Sequence, residues 1–398
     1  MDTALPIYAL LVDDDPMILA LLSAFLESKG YSVIEAHDGQ AALELIAQGG
    51  INLVVTDWVM PCMDGLDLCR AVRQQQHASY VYLIMLTSNS QENALVAAME
   101  AGVDDFLGKP FSPAELGARL HAAERVLALE AGLEKRNCKL AEAYSQLSRE
   151  LELAKAMQLG MLPKRADFGR VRFDWMFEAS SYVGGDMFDY FSIDDQYLCF
   201  YVIDVSGHGV SAAMMAFSAQ HLLLSSAQKI AKTIARQGGD IGSAAEVMMA
   251  GYNRHFMKLK DTSLYLTMIY GLIDTATGQV ALVQAGHPPP LLVLGSGTVT
   301  PIGDGGLPLG ILQNAAYEAH LVQLAPGFRL FLYSDGITEC SDVEGKEFGQ
   351  QRLEDLLGRQ QGLPLADARA ELGRALFLWK GATGAFNDDV TLLALEYR

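Results

Sequence analysis

The sequence predicts two different folds joined by a helix: a doubly wound α/β domain with a parallel five-stranded sheet, a helical coiled-coil linker, and an α+β β-sandwich. Three observations predict this. Strand-like and helix-like stretches alternate over residues 6–122, the pattern of a parallel sheet with helices on both faces. From about Leu116 to Leu162 the chain becomes charged and nearly free of Gly and Pro, with leucines seven apart. The remainder is rich in apolar strand-like runs, and four aspartates stand there in separate short motifs. The expected domains are therefore 1–122, 123–165 and 166–398.

Composition narrows the class. The chain has 398 residues, too many for one core, with 51% hydrophobic and 19% charged residues, a balance that suits compact domains. Lys and Arg number 29 against 48 Asp and Glu, a formal net charge of −19. That excess argues against nucleic acid or an anionic membrane as partner. Five cysteines without a Cys-x-x-Cys pattern suggest neither a disulfide framework nor a zinc site, and reduced thiols suit the cytoplasm. The start lacks a basic n-region, so no secretory signal is expected. Val210–Ala227 is apolar but broken by Ser211, Ser218, Gln220 and His221, and reads as a buried helix.

In the first domain, strands are expected at Ile7–Val12, Ser32–Glu35, Leu53–Thr56, Val81–Leu86 and Asp105–Leu107, with helices such as Pro16–Lys29 and Gly39–Gln48 between them. In the linker, Leu133, Leu140 and Leu147 mark a heptad seam, with Tyr144 and Leu151 offset by four. Asn137 and Gln158 fall on the same seam, Pro163 ends it, and a homodimer through this helix is expected. Beyond it, strands are expected at Val171–Phe177, Tyr197–Ile203, Thr267–Ile273, Val280–Gln284, Pro290–Leu294, Arg329–Tyr333 and Val390–Leu395. Helices are expected at Ser211–Lys232 and Ala244–Met257.

In a doubly wound sheet the carboxyl ends of the strands meet at one edge, where ligands bind. Asp13, Asp14 and Asp15 follow the first strand, Asp57 the third, Thr87 and Ser88 the fourth, and Lys109-Pro110 the fifth. Clustered carboxylates there can hold one Mg²⁺, and Asp57 can act as a nucleophile toward a phosphoryl group. This order, with Met60-Pro61 and Asp64-Gly65 after Asp57 and Phe111 after Pro110, resembles the receiver domain of bacterial two-component response regulators. The resemblance implies an acidic pair at Asp13 and Asp14. It also implies Mg²⁺ on Asp14, Asp57 and the Val59 carbonyl, phosphate accepted by Asp57 and steadied by Thr87 and Lys109, and a switch aromatic at Phe106. A sensor histidine kinase is the implied partner. Asp15 reads as a solvated neighbour or a helix cap.

The second acidic set comprises Asp186 in Val183-Gly184-Gly185-Asp186, Asp204 in Asp204-Val205-Ser206-Gly207-His208-Gly209, Asp335 in Tyr333-Ser334-Asp335-Gly336 and Asp388 in Asn387-Asp388-Asp389-Val390-Thr391. Hard carboxylate oxygens at strand ends suit Mg²⁺ or Mn²⁺, and two such ions can lower the pKa of a water for attack on a phosphoester. These motifs resemble the metal-dependent (PPM-type) Ser/Thr phosphatases of the SpoIIE and RsbU group. So do Ala154-x-x-x-Gln158-x-x-x-Leu162-Pro163, Ala285-Gly286-His287-Pro288 and Leu307-Pro308-Leu309-Gly310. The resemblance implies two Mn²⁺ or Mg²⁺ ions bridged by Asp204, one held by Asp335 and Asp388, the other by the Val205 carbonyl, with Asp186 reaching it through water. The implied substrate is phosphoserine or phosphothreonine in a protein of the anti-sigma antagonist type. His208 and His287 read as supporting residues rather than acid catalysts; Asp189 and Asp389 could join the metal shells but read rather as solvent-facing or hydrogen-bonding residues. Ser334 lacks a His-Asp pair to activate it, and only Arg170 or Arg172 stands near the first motif as a phosphate clamp.

The favoured function is a phosphatase controlled by receiver phosphorylation. The competing one is an RssB-like adaptor that uses a non-catalytic phosphatase fold to bind a sigma factor or its regulator. The intact set of four aspartates disfavours it. A DNA-binding regulator is disfavoured by the absence of a basic recognition helix.

Overall fold

The computed structural model describes residues 7–75, 79–88, 92–207, 209–259, 264–381 and 386–398. The chain divides into two compact units, Met1–Gln146 and Leu147–Arg398.

The first unit runs β1 (Tyr8–Val12), α1 (Pro16–Ser28), β2 (Ser32–Ala36), α2 (Gly39–Ala47), β3 (Leu53–Asp57), α3 (Gly65–Gln74), β4 (Tyr82–Thr87), α4 (Glu92–Glu100), β5 (Asp105–Gly108) and the start of α5 (Pro113–Met161). Its five strands form a parallel sheet in the order β2-β1-β3-β4-β5. Alternate residues of each strand feed two separate cores. Leu10, Val12, Val54 and Met85 face one set of helices; Ala9, Leu11, Val55 and Leu86 face the other. A sheet covered on both faces explains why its strands read as continuous apolar runs. Asp15 caps α1, its carboxylate accepting the Met17 N–H at 2.8 Å.

The linker is part of one 49-residue helix, α5. Leu133, Leu140, Tyr144 and Leu147 are each more than half exposed. Gln158, which spacing puts on the same seam, is instead buried at 1% exposure within the second unit. Its amide has found backbone partners there, so it does not belong to an exposed heptad stripe.

The second unit opens with β6 (Asp167–Phe168), β7 (Val171–Glu178), β8 (Met187–Ser192) and β9 (Tyr197–Val205), then α6 (Val210–Leu224), α7 (Ala227–Arg236) and α8 (Ile241–Phe256). Next come β10 (Leu266–Asp274), β11 (Gln279–Ala285), β12 (Leu291–Val293), β13 (Val299–Pro301), β14 (Ala319–Gln323) and β15 (Arg329–Tyr333). The chain ends with α9 (Asp335–Thr338), α10 (Gln350–Arg359), α11 (Leu365–Lys380) and β16 (Val390–Tyr397). Among the described residues there are two antiparallel sheets, β14-β11-β10-β9-β8 and β13-β12-β15-β16-β7-β6. Phe173 of β7 stacks on Tyr190 of β8 with ring centroids 4.1 Å apart, joining the sheets through one shared core.

The helix expected over Ser211–Lys232 is two helices. The chain breaks at Ser225-Ser226, where the Ser226 hydroxyl donates back to the Leu223 carbonyl at 2.6 Å and meets the Tyr252 hydroxyl at 2.8 Å. Two helices not anticipated from sequence, α10 and α11, bring Leu353, Leu357, Leu372 and Leu376 onto the outer face of the second sheet. That cover is why β15 and β16 are buried on both faces. Among the described residues no helix is long and apolar enough to cross a membrane.

Candidate active site

The order of the first sheet places the ends of β1 and β3 side by side. Asp13, Asp14 and Asp57 consequently offer oxygens that all lie within 4.8 Å of one another. Lys109, just beyond β5, reaches in with its ammonium 2.9 Å from Asp13 and 2.8 Å from Asp57. Burial works against that ammonium, but its hydrogen bonds to the two carboxylates outweigh it and hold the pKa above its ordinary value. Thr87 ends β4 nearly buried, and Phe106 lies half-buried on β5 beside Met85, with the Arg119 guanidinium over its ring. Val59 follows Asp57 with its side chain exposed. Gly65 is required behind the acceptor: a Cβ there would stand 2.2 Å from the Asp57 carbonyl oxygen.

In the second unit, sheet register assembles the site. Met187 pairs with Ile203 across β8 and β9, so Asp186 and Asp204 occupy adjoining strand ends. Tyr333 pairs with Leu392 across β15 and β16, which brings Asp335, at the start of α9, toward Asp388 and Asp389 just before β16. A bond from the Thr391 hydroxyl to the Asp186 carboxylate, 2.5 Å long, ties the second sheet to the first at this point.

Asp389 organises the turn that carries Asp186. Its two carboxylate oxygens accept four hydrogen bonds: from the Ser180 N–H at 2.8 Å and hydroxyl at 3.0 Å, and from the N–H groups of Gly185 at 2.6 Å and Asp186 at 3.3 Å. Gly184 has no room for a side chain, since a Cβ would stand 2.4 Å from the Asp389 carboxylate. Gly185 is also crowded: a Cβ on it would stand 2.8 Å from the Val205 carbonyl oxygen. Gln158 completes the frame: its amide oxygen accepts the Gly184 N–H at 3.0 Å while its nitrogen donates to the Gly184 and Asp186 carbonyls at 3.0 and 3.4 Å. The end of α5 thus holds the Gly-Gly-Asp turn from one side and Asp389 from the other. Sequence reasoning missed both Gln158 and Thr391 as site residues, although each sits in a motif already noted.

Asp186 is pushed well above the usual carboxylate range by burial, then by Asp204 and Asp389. Asp204 is raised to about 7 by burial and by repulsion from Asp335, Asp388 and Asp389. Asp335 is raised by burial and by Asp388. Among the described residues none of these carboxylates forms an ion pair. Among the described residues only Asp13, Asp14 and Asp57 bring three ligand oxygens within 4.8 Å of one another; in the second unit, hard divalent cations would relieve the repulsion among the uncompensated carboxylates.

The remaining expectations sort clearly. His208 lies outside the described residues. His287 is buried at 1% exposure, and burial pushes its imidazole down to about 3, so it is neutral. Asp189 accepts from the Tyr190 N–H at 2.7 Å and from Gln220 at 3.3 Å, away from the metal set. Ser334 spends its hydroxyl on the Asp389 carbonyl at 3.0 Å. Neither arginine suggested as a clamp is available. Arg172 pairs with Asp167 at 3.0 Å and Arg170 lies over the Tyr397 ring, both at the start of β7, whereas the site adjoins its far end.

The family model for Stage II sporulation protein E (SpoIIE) matches residues 194–398, just over half of the chain. The chain belongs to the SpoIIE family. A response regulator receiver domain model matches residues 9–121. The alkaline phosphatase synthesis transcriptional regulatory protein PhoP of Bacillus subtilis is 40% identical over 116 residues, 29% of this chain and 48% of that protein. Phosphoserine phosphatase RsbP of the same organism is 28% identical over 249 residues, 62% of this chain and 57% of that protein. The chain spans about half the length of the curated relatives it matches. The SiaA-PP2C domain of Pseudomonas aeruginosa shares the fold of the second unit, with a TM-score of 0.54 at 20% identity over 65% of this chain and all of that one. A receiver followed by a PP2C-like sandwich is therefore the architecture of this SpoIIE-family chain.

Proposed function

We propose that this chain is a response regulator whose receiver controls a metal-dependent protein phosphatase. The phosphatase removes phosphate from serine or threonine of a regulatory protein of the anti-sigma antagonist type. The observation that carries the reading is the gathering of Asp186, Asp204, Asp335 and Asp388 at strand ends with, among the described residues, no cationic side chain paired to them. The similarity to RsbP supports the phosphoserine assignment.

In this reading Asp204 stands between two Mn²⁺ or Mg²⁺ sites, Asp335 and Asp388 serve the first, and the Val205 carbonyl and Asp186 serve the second. The ions supply charge neutralisation for a phosphate dianion and a water acidified toward hydroxide. The residues of the chain hold this arrangement in advance: Asp389, Gln158 and Thr391 fix Asp186, and the short β8–β9 register fixes its spacing from Asp204. In the receiver, Asp57 accepts phosphate from a sensor histidine kinase beside a Mg²⁺ on Asp13, Asp14, Asp57 and the Val59 carbonyl. Lys109 and Thr87 steady the transferred group.

The domains of this reading are the receiver at 1–122, the linker at 123–165 and the phosphatase at 166–398, in a cytoplasmic homodimer paired along the exposed Leu133, Leu140 and Leu147 stripe. The test is hydrolysis of p-nitrophenyl phosphate by the full chain with Mn²⁺ or Mg²⁺, beside Asp204→Ala and Asp335→Ala. Metal-dependent turnover lost in both variants is expected. An inactive parent, with and without acetyl phosphate, would replace the phosphatase by a binding adaptor.

A further inference from the structure

Beneath Asp204 lies a pair, half-buried Thr267 and buried His287, that the proposed reaction does not use. Thr267 of β10 stands directly opposite Asp204 of β9 in the antiparallel ladder. Its hydroxyl is thereby within reach of the Asp204 carboxylate as a hydrogen-bond donor. The same hydroxyl lies 2.7 Å from Nδ1 of His287. His287 follows Gly286, whose φ of 71° and whose close approach to Pro308 exclude a side chain at that turn. The imidazole is therefore held inside the sandwich by the turn rather than left to choose its place.

We infer that Thr267 and His287 are positioning residues that aim the Asp204 carboxylate at the metal ions, through a hydrogen-bond relay running from imidazole to hydroxyl to carboxylate. The proton order follows from counting donors. A threonine hydroxyl carries one hydrogen. A carboxylate able to bind cations is ionised and only accepts, so that hydrogen goes to Asp204. Thr267 must then accept from its other neighbour, which makes His287 the Nδ1–H tautomer. Nε2 has no hydrogen-bond partner among the described residues, while the Tyr333 backbone also lies within hydrogen-bonding reach of the ring. A buried, neutral imidazole adds no positive charge that would compete with the ions. Partners of this kind orient metal-binding carboxylates and histidines in many sites. The inference rests on the metal-dependent reading above.

The test is Mn²⁺ titration of the full chain by calorimetry, with the receiver's own ion as internal reference, for the parent, Asp204→Ala, Thr267→Val, Thr267→Ser and His287→Leu. Thr267→Val keeps the shape and removes the hydroxyl. It is expected to weaken the Asp204-dependent Mn²⁺ uptake by roughly ten- to a hundredfold, with a parallel rise in the Mn²⁺ concentration needed for turnover and a melting temperature close to the parent's. Thr267→Ser, which restores the hydroxyl, is expected to recover parent affinity. His287→Leu is expected to fall between them. Parent-like Mn²⁺ affinity in Thr267→Val overturns the relay, as does failure of Thr267→Ser to rescue when both fold. A parent whose Mn²⁺ uptake matches that of Asp204→Ala overturns the metal reading itself, and the relay with it.

Discussion

Asp388 and Asp389 are neighbours in sequence with opposite expected behaviour, and replacing each by alanine separates structure from chemistry. Asp389 is 4% exposed and accepts four hydrogen bonds, two of them from the fully buried N–H groups of Gly185 and Asp186. Removing its carboxylate leaves those donors without a partner, at about 1–3 kcal/mol each. Part of that loss is offset, because Asp389 also repels Asp186 and Asp204. A net destabilisation of about 2–4 kcal/mol is expected for Asp389→Ala. Asp388 is exposed and accepts from the Asp389 N–H at 2.7 Å. Its removal relieves repulsion on Asp204 and Asp335, so the metal-free midpoint should stay near the parent's or rise.

The assay is urea unfolding in EDTA in a Trp58→Phe background, which leaves Trp175 and Trp379 to report on the second unit alone. Two units need not unfold together, so the signal must be specific to one of them. Mn²⁺-dependent turnover should be lost in both variants. A parent-like midpoint for Asp389→Ala, or an equal drop for Asp388→Ala, would refute the division of roles.

Three further predictions follow from other parts of the molecule. Gly65→Ala drives a Cβ to 2.2 Å from the Asp57 carbonyl oxygen, so it should abolish acetyl phosphate labelling of Asp57 while leaving Mn²⁺-dependent hydrolysis of p-nitrophenyl phosphate intact; normal labelling would count against the close fit. Leu140→Asp with Leu147→Asp places charges on the exposed stripe and should convert a dimer to a monomer in sedimentation, uncoupling turnover from acetyl phosphate; an unchanged mass and unchanged regulation would remove the seam from the account. Asp189 is raised by burial, so its carboxyl contributes stability that is complete below the unfolded pKa near 4 and is lost as pH rises through the folded value. Asp189→Asn should therefore gain on the parent in urea midpoint between pH 4.5 and pH 8, and a pH-independent difference would contradict the assignment.

The sequence by itself displayed the two acidic sets as local motifs. Asp13, Asp14, Asp57 and Lys109 were legible because a doubly wound sheet sends every strand's carboxyl end to one edge, whatever the loops between. Asp204 was legible because it ends an apolar, strand-like run and opens Asp204-Val205-Ser206-Gly207-His208-Gly209, a motif that resembles the PPM-type phosphatases. The heptad leucines of α5 were legible for the same local reason, since a period of seven needs no knowledge of the rest of the chain.

Only the tertiary structure decided which polar groups support those sets. Gln158 reads as a seam residue until the Gly184 backbone is brought against it. Asp389 holds a turn some two hundred positions away in the chain. Thr391 reaches Asp186 across two sheets, and His287 reaches Thr267, which stands opposite Asp204 on the neighbouring strand. The break at Ser225-Ser226 likewise depends on Tyr252 of another helix. Periodicity and motif spacing record what a segment does along its own axis. A hydrogen-bond partner is set by which elements cross in space, and that is fixed only when the sheets pack and their buried donors and acceptors must be paired.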